Sequence, residues 1–204
     1  MLQSRPAPGV TLAANRFEFL IQPGWNDSPP EHWQSHWQQC LGARRVANRD
    51  WHLPSCEDWL AGLHAALAQA EKPVIVVAHS LGCIAVAHYA RLYPQAIAGA
   101  LLVAPADVER EDAPSALLDF APAPHAALPF PALVLASTND PFCRSMRAKA
   151  LADSWGARLE WLEQAGHVNV ASGHQKWPEG LVYLAKLVSL LGQDGEARAL
   201  TARA

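Results

Sequence analysis

An α/β fold built on one doubly wound, mainly parallel sheet of about six strands is predicted by three features of the sequence. Short β-branched and apolar runs alternate with longer helix-patterned segments from residue 17 onward, the order that lays helices over both faces of a parallel sheet. The run Val74-Ile75-Val76-Val77-Ala78 is apolar at every position, as a strand covered on both faces requires. The length of 204 residues suits one domain with one substantial core.

The elements follow in order. Residues 17–22 read as a first strand, and Pro29-Pro30 opens a helix over 31–41. A weak second strand covers 44–47. Residues 55–70 read as a helix, with Ser55 as its cap and Asp58 three residues on, close to a capping box. The strand at 74–78 is followed at once by a helix over 81–92. Further strands are expected at 99–103 and 132–137, then a helix over 143–155 and a last strand at 158–161. Pro178 sits in the first turn of a final helix running to Leu191, where its missing N–H is harmless. The segment 112–131 is rich in alanine and proline and reads as an irregular excursion with at most one short helix, too small for a large lid. Residues 1–16 and 192–204 read as tails around a single domain at 17–191, the last of them, from Gln193, as a frayed polar helix or a tail.

Bulk properties exclude several functions. Half the residues are hydrophobic, 17% are charged and the formal net charge is −3. No basic stripe stands out, so nucleic acid is not expected as a partner. No apolar run approaches the ~20 residues of a membrane span, and the first residues lack the order of an export signal. The four cysteines, Cys40, Cys56, Cys83 and Cys143, show no CxxC spacing. Free thiols and a cytoplasmic location are the expectation. His32 and His36 stand one helical turn apart and could clamp a metal, but no third ligand is evident and a polar helix face is favoured.

The chemistry is concentrated at Ala78-His79-Ser80-Leu81-Gly82. A buried strand, a sharp turn and a helix lift the Ser80 hydroxyl out of the sheet edge. The pattern matches the G-x-S-x-G nucleophile elbow of α/β-hydrolases with alanine for the first glycine. In parallel sheets, sites lie at the carboxyl ends of the strands. A serine needs a base, and the base an acid; in this fold the order along the chain is Ser, Asp, His. Asp140 follows the strand at 132–137, and His167 follows the one at 158–161, preceded by Gly166. Asp107 follows another strand and is the alternative acid. Of the other histidines, His79 reads as packing or as support behind the site, His88 and His64 as helix residues, and His174 as lying farther along the loop. The N–H of Leu81 is one expected oxyanion donor. Trp25, in the Pro23-Gly24-Trp25 turn after the first strand, is the other. Eight tryptophans are many for this length. Trp25, Trp51 and Trp177 fall in or beside site-side loops and are candidates for an apolar substrate wall. Trp33, Trp37, Trp59, Trp155 and Trp161 read as core.

The chain resembles the small serine hydrolases related to retinoblastoma-binding protein nine, a compact branch of the α/β-hydrolases, especially their bacterial members. The resemblance spans about residues 17–191. It rests on Pro23-Gly24-Trp25, His32-Trp33-Gln34, Asp50-Trp51 with Pro54, residues 78–82, Ala104-Pro105-Ala106-Asp107, Asn139-Asp140-Pro141, Gly166-His167-Val168-Asn169 and Trp177-Pro178-Glu179-Gly180. It implies Ser80 as nucleophile, Asp140 as acid and His167 as base. These expectations make the protein a compact α/β-hydrolase that cleaves a small-molecule acyl ester, or an amide or thioester, with no cofactor and no metal. The competing expectation is a protein-binding module on the same scaffold, since some members are known for protein binding; the sequence itself does not indicate such a partner. Acyl transfer to an acceptor other than water stays open.

Overall fold

Six strands, β1 (Glu18–Gln22), β2 (Arg44–Arg45), β3 (Val74–His79), β4 (Gly99–Val103), β5 (Ala132–Ser137) and β6 (Arg158–Leu162), join in one sheet of order β2-β1-β3-β4-β5-β6. Each adjacent pair is parallel. This is a computed structural model; it describes residues 15–201, with side chains through residue 192. The expected tail at 1–16 lies almost wholly outside the described residues. The helices are α1 (Trp33–Leu41), α2 (Cys56–Ala68), α3 (Leu81–Leu92), α4 (Ser145–Ser154) and α5 (Gly180–Thr201).

Period-two alternation in the strands makes the two helical layers. Val74, Val76 and Ala78 face one core, shared with Trp59 and Leu63 of α2, Ile84 of α3 and Leu151 of α4. Ile75 and Val77 face the other, shared with Trp33 and Trp37 of α1 and Leu184 and Leu187 of α5. The unbroken apolar run at β3 is thus one strand supplying both cores.

The chain winds from β1 outward to β2, then returns across β1 to β3 and continues to β6. Winding direction reverses between β1 and β3, so a crevice opens at their carboxyl ends. There Gln22 pairs in register with Ala78, which brings the turn after β1 beside the turn at Ser80.

Several expectations are corrected at their edges. Helix α1 begins at Trp33 rather than residue 31. His32 is its extended N-cap, accepting the Gln34 N–H on Nδ1, so Pro29-Pro30 lie before the helix rather than in its first turn. Consequently His32 is buried, not part of a polar helix face. Trp161 was expected in the core but is 42% exposed on the edge strand β6. Helix α5 runs to Thr201, ten residues past the expected end at Leu191. The excursion carries one 3₁₀ turn, Ser115–Phe120; the Trp155 indole N–H anchors it by donating to Pro124 O at 2.7 Å. Among the described residues no lid domain is inserted, and no helix is long and apolar enough to cross a membrane. All four cysteines are free thiols.

Candidate active site

Strand β3 ends in a turn that places Ser80 at φ 54°, ψ −123°, a region that residues with a side chain rarely occupy. Two glycines make the turn possible. A Cβ at Gly82 would stand 2.5 Å from Pro23 O, and one at Gly24 would stand 2.8 Å from Ser80 Cβ. Both contacts are shorter than side-chain carbons tolerate, so the loop after β1 can press against the serine turn only without those side chains. The Ser80 N–H donates to Val103 O of β4 at 3.0 Å, which holds the turn to the neighbouring strand.

Two later loops meet this serine. His167 Nε2 stands 2.8 Å from Ser80 Oγ, and His167 Nδ1 stands 3.0 and 2.9 Å from the two Asp140 carboxylate oxygens. The pair is nearly dry, with side-chain exposure of 7% for His167 and 2% for Asp140. A carboxylate only accepts, so Nδ1 carries the proton and Nε2 presents its lone pair to the serine hydroxyl. Asp140 is itself oriented by the Phe142 N–H at 2.8 Å. The Asp140 and His167 loops are tied directly by Asn139, whose Oδ1 accepts from Gly166 N–H at 2.7 Å. Asp107, the alternative acid, points elsewhere: its Oδ1 lies 3.2 Å from Arg147 Nε.

The His167 loop is held from beneath by two side chains: His79, one of whose expected roles was to support the site, and Trp33, whose role sequence reading missed. His79 Nε2 donates to His167 O at 2.9 Å, and Trp33 Nε1 donates to Val168 O at 2.8 Å. Val168 is fully buried at φ 49°, a strained backbone for a β-branched residue, so these donors fix a conformation the chain would not choose alone. Trp33 and Val168 are 135 positions apart, and no local pattern could have linked them.

The N–H groups of Trp25 and Leu81 have no hydrogen-bond partner among the described residues, which leaves both available to a ligand beside Ser80. The Trp25 indole donates to His52 O at 2.9 Å, fixing the ring over a cleft of about 420 Å³. Ser80, His167, His32, Phe142, Leu117 and Arg110 also line this cleft. Trp51 does not. Its ring packs edge-on against Trp59 at 5.5 Å, and its carbonyl supports the loop by accepting the Asn26 N–H. Trp177, the third candidate for the wall, is buried and stacked on Trp37. His174 is held by the Ser172 hydroxyl and His88 by Phe120 O, away from the serine.

His32, His79 and His167 form a row, with ring centroids 5.0 and 4.9 Å apart. Burial, then the Arg45 charge, pushes His32 down to about 3. Burial, then His167, holds His79 well below the usual histidine value. Above about pH 6.5 both histidines are neutral in the folded and unfolded chain alike. Below it the unfolded chain takes up protons that the folded one refuses, so stability falls with pH, for His32 down to about 3. The thermal midpoint should therefore drop steadily on acidification below neutrality, and less steeply in His32→Gln. Equal slopes in the two proteins would show that this burial is not what makes the fold acid-sensitive.

Among the described residues no group of three or more His, Cys, Asp or Glu side chains gathers as a metal site. A sequence model of the serine hydrolase family matches residues 19–186. The chain belongs to the serine hydrolase family. A protein from Pectobacterium atrosepticum described as a YdeN-like hydrolase is 32% identical, with a TM-score of 0.81 over 90% of this chain and 96% of that one. The ydeN gene product of Bacillus subtilis is 21% identical, with a TM-score of 0.68 over 85% and 99% of the two chains. Est1E from Butyrivibrio proteoclasticus shares the fold at 13% identity, with a TM-score of 0.62 over 89% and 88%. A comparison with curated proteins finds no match. As in those relatives, this serine hydrolase carries an α/β-hydrolase sheet, and its cleft opens at the strand ends where the three hydrogen-bonded residues meet.

Proposed function

We propose that this hydrolase, as one catalytic domain over residues 17–191, cleaves small carboxylic esters through an acyl-enzyme on Ser80. The observation that carries the reading is the hydrogen-bonded row Asp140–His167–Ser80, with 2.8 Å between the base nitrogen and the hydroxyl. His167 removes the hydroxyl proton as Ser80 Oγ attacks the ester carbonyl. Asp140 keeps the imidazole in the productive tautomer and stabilises its charged form. The N–H groups of Leu81 and Trp25 receive the oxyanion. His167 then gives the proton to the departing alcohol, and water, activated by the same base, releases the acid. The resemblance to the retinoblastoma-binding protein nine branch supports the same three roles.

The size of the cleft favours short acyl groups. Trp25, Leu117 and Phe142 form a shallow apolar wall, and each methylene buried there contributes only about 0.8 kcal/mol. Hydrolysis of a p-nitrophenyl series should favour acetate to butyrate over long chains, without activation above the micellar limit. A preference for long chains with interfacial activation would make the enzyme a lipase and the excursion its lid.

A further inference from the structure

We propose that Arg110 makes the cleft selective for esters bearing a second, free carboxylate, such as half-esters of dicarboxylic acids; this deepens the hydrolase reading and rests on it. The charged residues along the cleft are few. Asp27 is engaged by Arg45 at 2.8 Å, and His32 and His79 are held neutral by burial. That leaves the Arg110 guanidinium as the cation facing a wall that is otherwise apolar or uncharged.

Its placement suits a ligand bridging to the serine. The guanidinium carbon lies 5.3 Å over the Phe142 ring, and that ring stands edge-on to His167 at 4.7 Å. Laid end to end, these separations put the guanidinium within 10.0 Å of the His167 ring. A short dicarboxylic acyl chain spans that gap, with its ester carbonyl at Ser80 and its free carboxylate at Arg110. The arginine is held in place and only partly neutralised, by Asp112. Nη1 donates to Asp107 O at 3.2 Å, and Phe142 backs the plane. Nη2 has no hydrogen-bond partner among the described residues. Asp112 Oδ1 comes within 2.9 Å of Nε, but Nε makes no hydrogen bond, and the Asp112 side chain is 84% exposed. The Arg110 end of this pair is largely buried, but the Asp112 end is solvated and salt-screened; a substrate carboxylate, which accepts from a guanidinium fork in a drier setting, can displace it. The neighbouring acids Asp107 and Glu109 are both engaged by Arg147.

The test compares methyl hydrogen glutarate with the neutral methyl valerate in a pH-stat, for the unaltered protein and for Arg110→Gln. The unaltered protein should prefer the half-ester, with the preference shrinking as salt rises. Arg110→Gln should lower kcat/KM for the half-ester about tenfold or more relative to the neutral ester, the loss appearing mainly in KM. Arg110→Lys should recover part of it. Equal losses on both esters would make Arg110 a strut for Phe142 and overturn the assignment. So would no half-ester preference in the unaltered protein, with the hydrolase reading left standing if methyl valerate is cleaved. Failure to cleave either ester, with Ser80 unlabelled by a fluorophosphonate, would overturn the hydrolase reading and this assignment together.

Discussion

Replacing Ser80 with alanine should abolish turnover almost completely while leaving the fold intact. The hydroxyl makes one side-chain hydrogen bond, to His167 at 2.8 Å. The backbone that carries it is held by contacts an alanine keeps: the bond to Val103 O, and Gly24 and Gly82 against neighbouring main chain. Alanine at φ 54° is strained as serine is, so the substitution adds no new backbone cost. Ester hydrolysis should fall roughly 10⁴- to 10⁶-fold, to what binding and the oxyanion donors supply alone. The thermal midpoint should move little. Near-normal hydrolysis by the variant, or a fluorophosphonate adduct on another residue, would remove Ser80 from the mechanism.

The second large effect separates the two candidate acids. An asparagine at 140 presents an N–H₂ group to His167, or loses half of the carboxylate contact at Nδ1. Either way the imidazole proton is free to move to Nε2, where it faces the serine instead of accepting from it. Asp140→Asn should therefore cost roughly 10³- to 10⁴-fold in kcat. Asp107→Asn should cost under about tenfold, because its carboxylate is spent on Arg147 and on the Glu109 N–H at 3.1 Å. The reverse ranking in steady-state kinetics would reassign the acid.

The sheet was legible because its signal is local. A strand such as β3, apolar at every position, identifies itself without its neighbours, and the small residues around Ser80 report how tightly backbone passes there. Asp140 and His167 were readable because strand ends are where this architecture gathers its groups. What stayed hidden depends on distant pairs. The Trp33 indole bonds a carbonyl 135 positions away, and Trp51 looks like a wall residue until Trp59 is seen to occupy its ring. His32 reads as polar helix surface because a cap one residue before α1 is indistinguishable, by spacing, from a residue one turn into it. Arg110 offers no pattern at all; its meaning comes from Phe142 and the cleft, which the chain assembles from separate loops.

The hydrogen bonds of the site divide its labour in a way that bears on how such an enzyme can diverge. Ser80, His167 and Asp140, with Asn139, His79 and Trp33 behind them, are joined to one another and to strand ends. The segment after β4 supplies Ala106, Arg110, Pro114 and Leu117 to the cleft but none of those bonds. Beyond Asp107, whose N–H donates to Phe142 O at 3.0 Å, positions such as Pro114 and Leu117 can therefore change without breaking a hydrogen bond of the Ser80–His167–Asp140 row. On the proposed reading, inherited variation in that outer stretch would retune which molecules are accepted while the hydrogen-bonded row passes unchanged from parent to descendant.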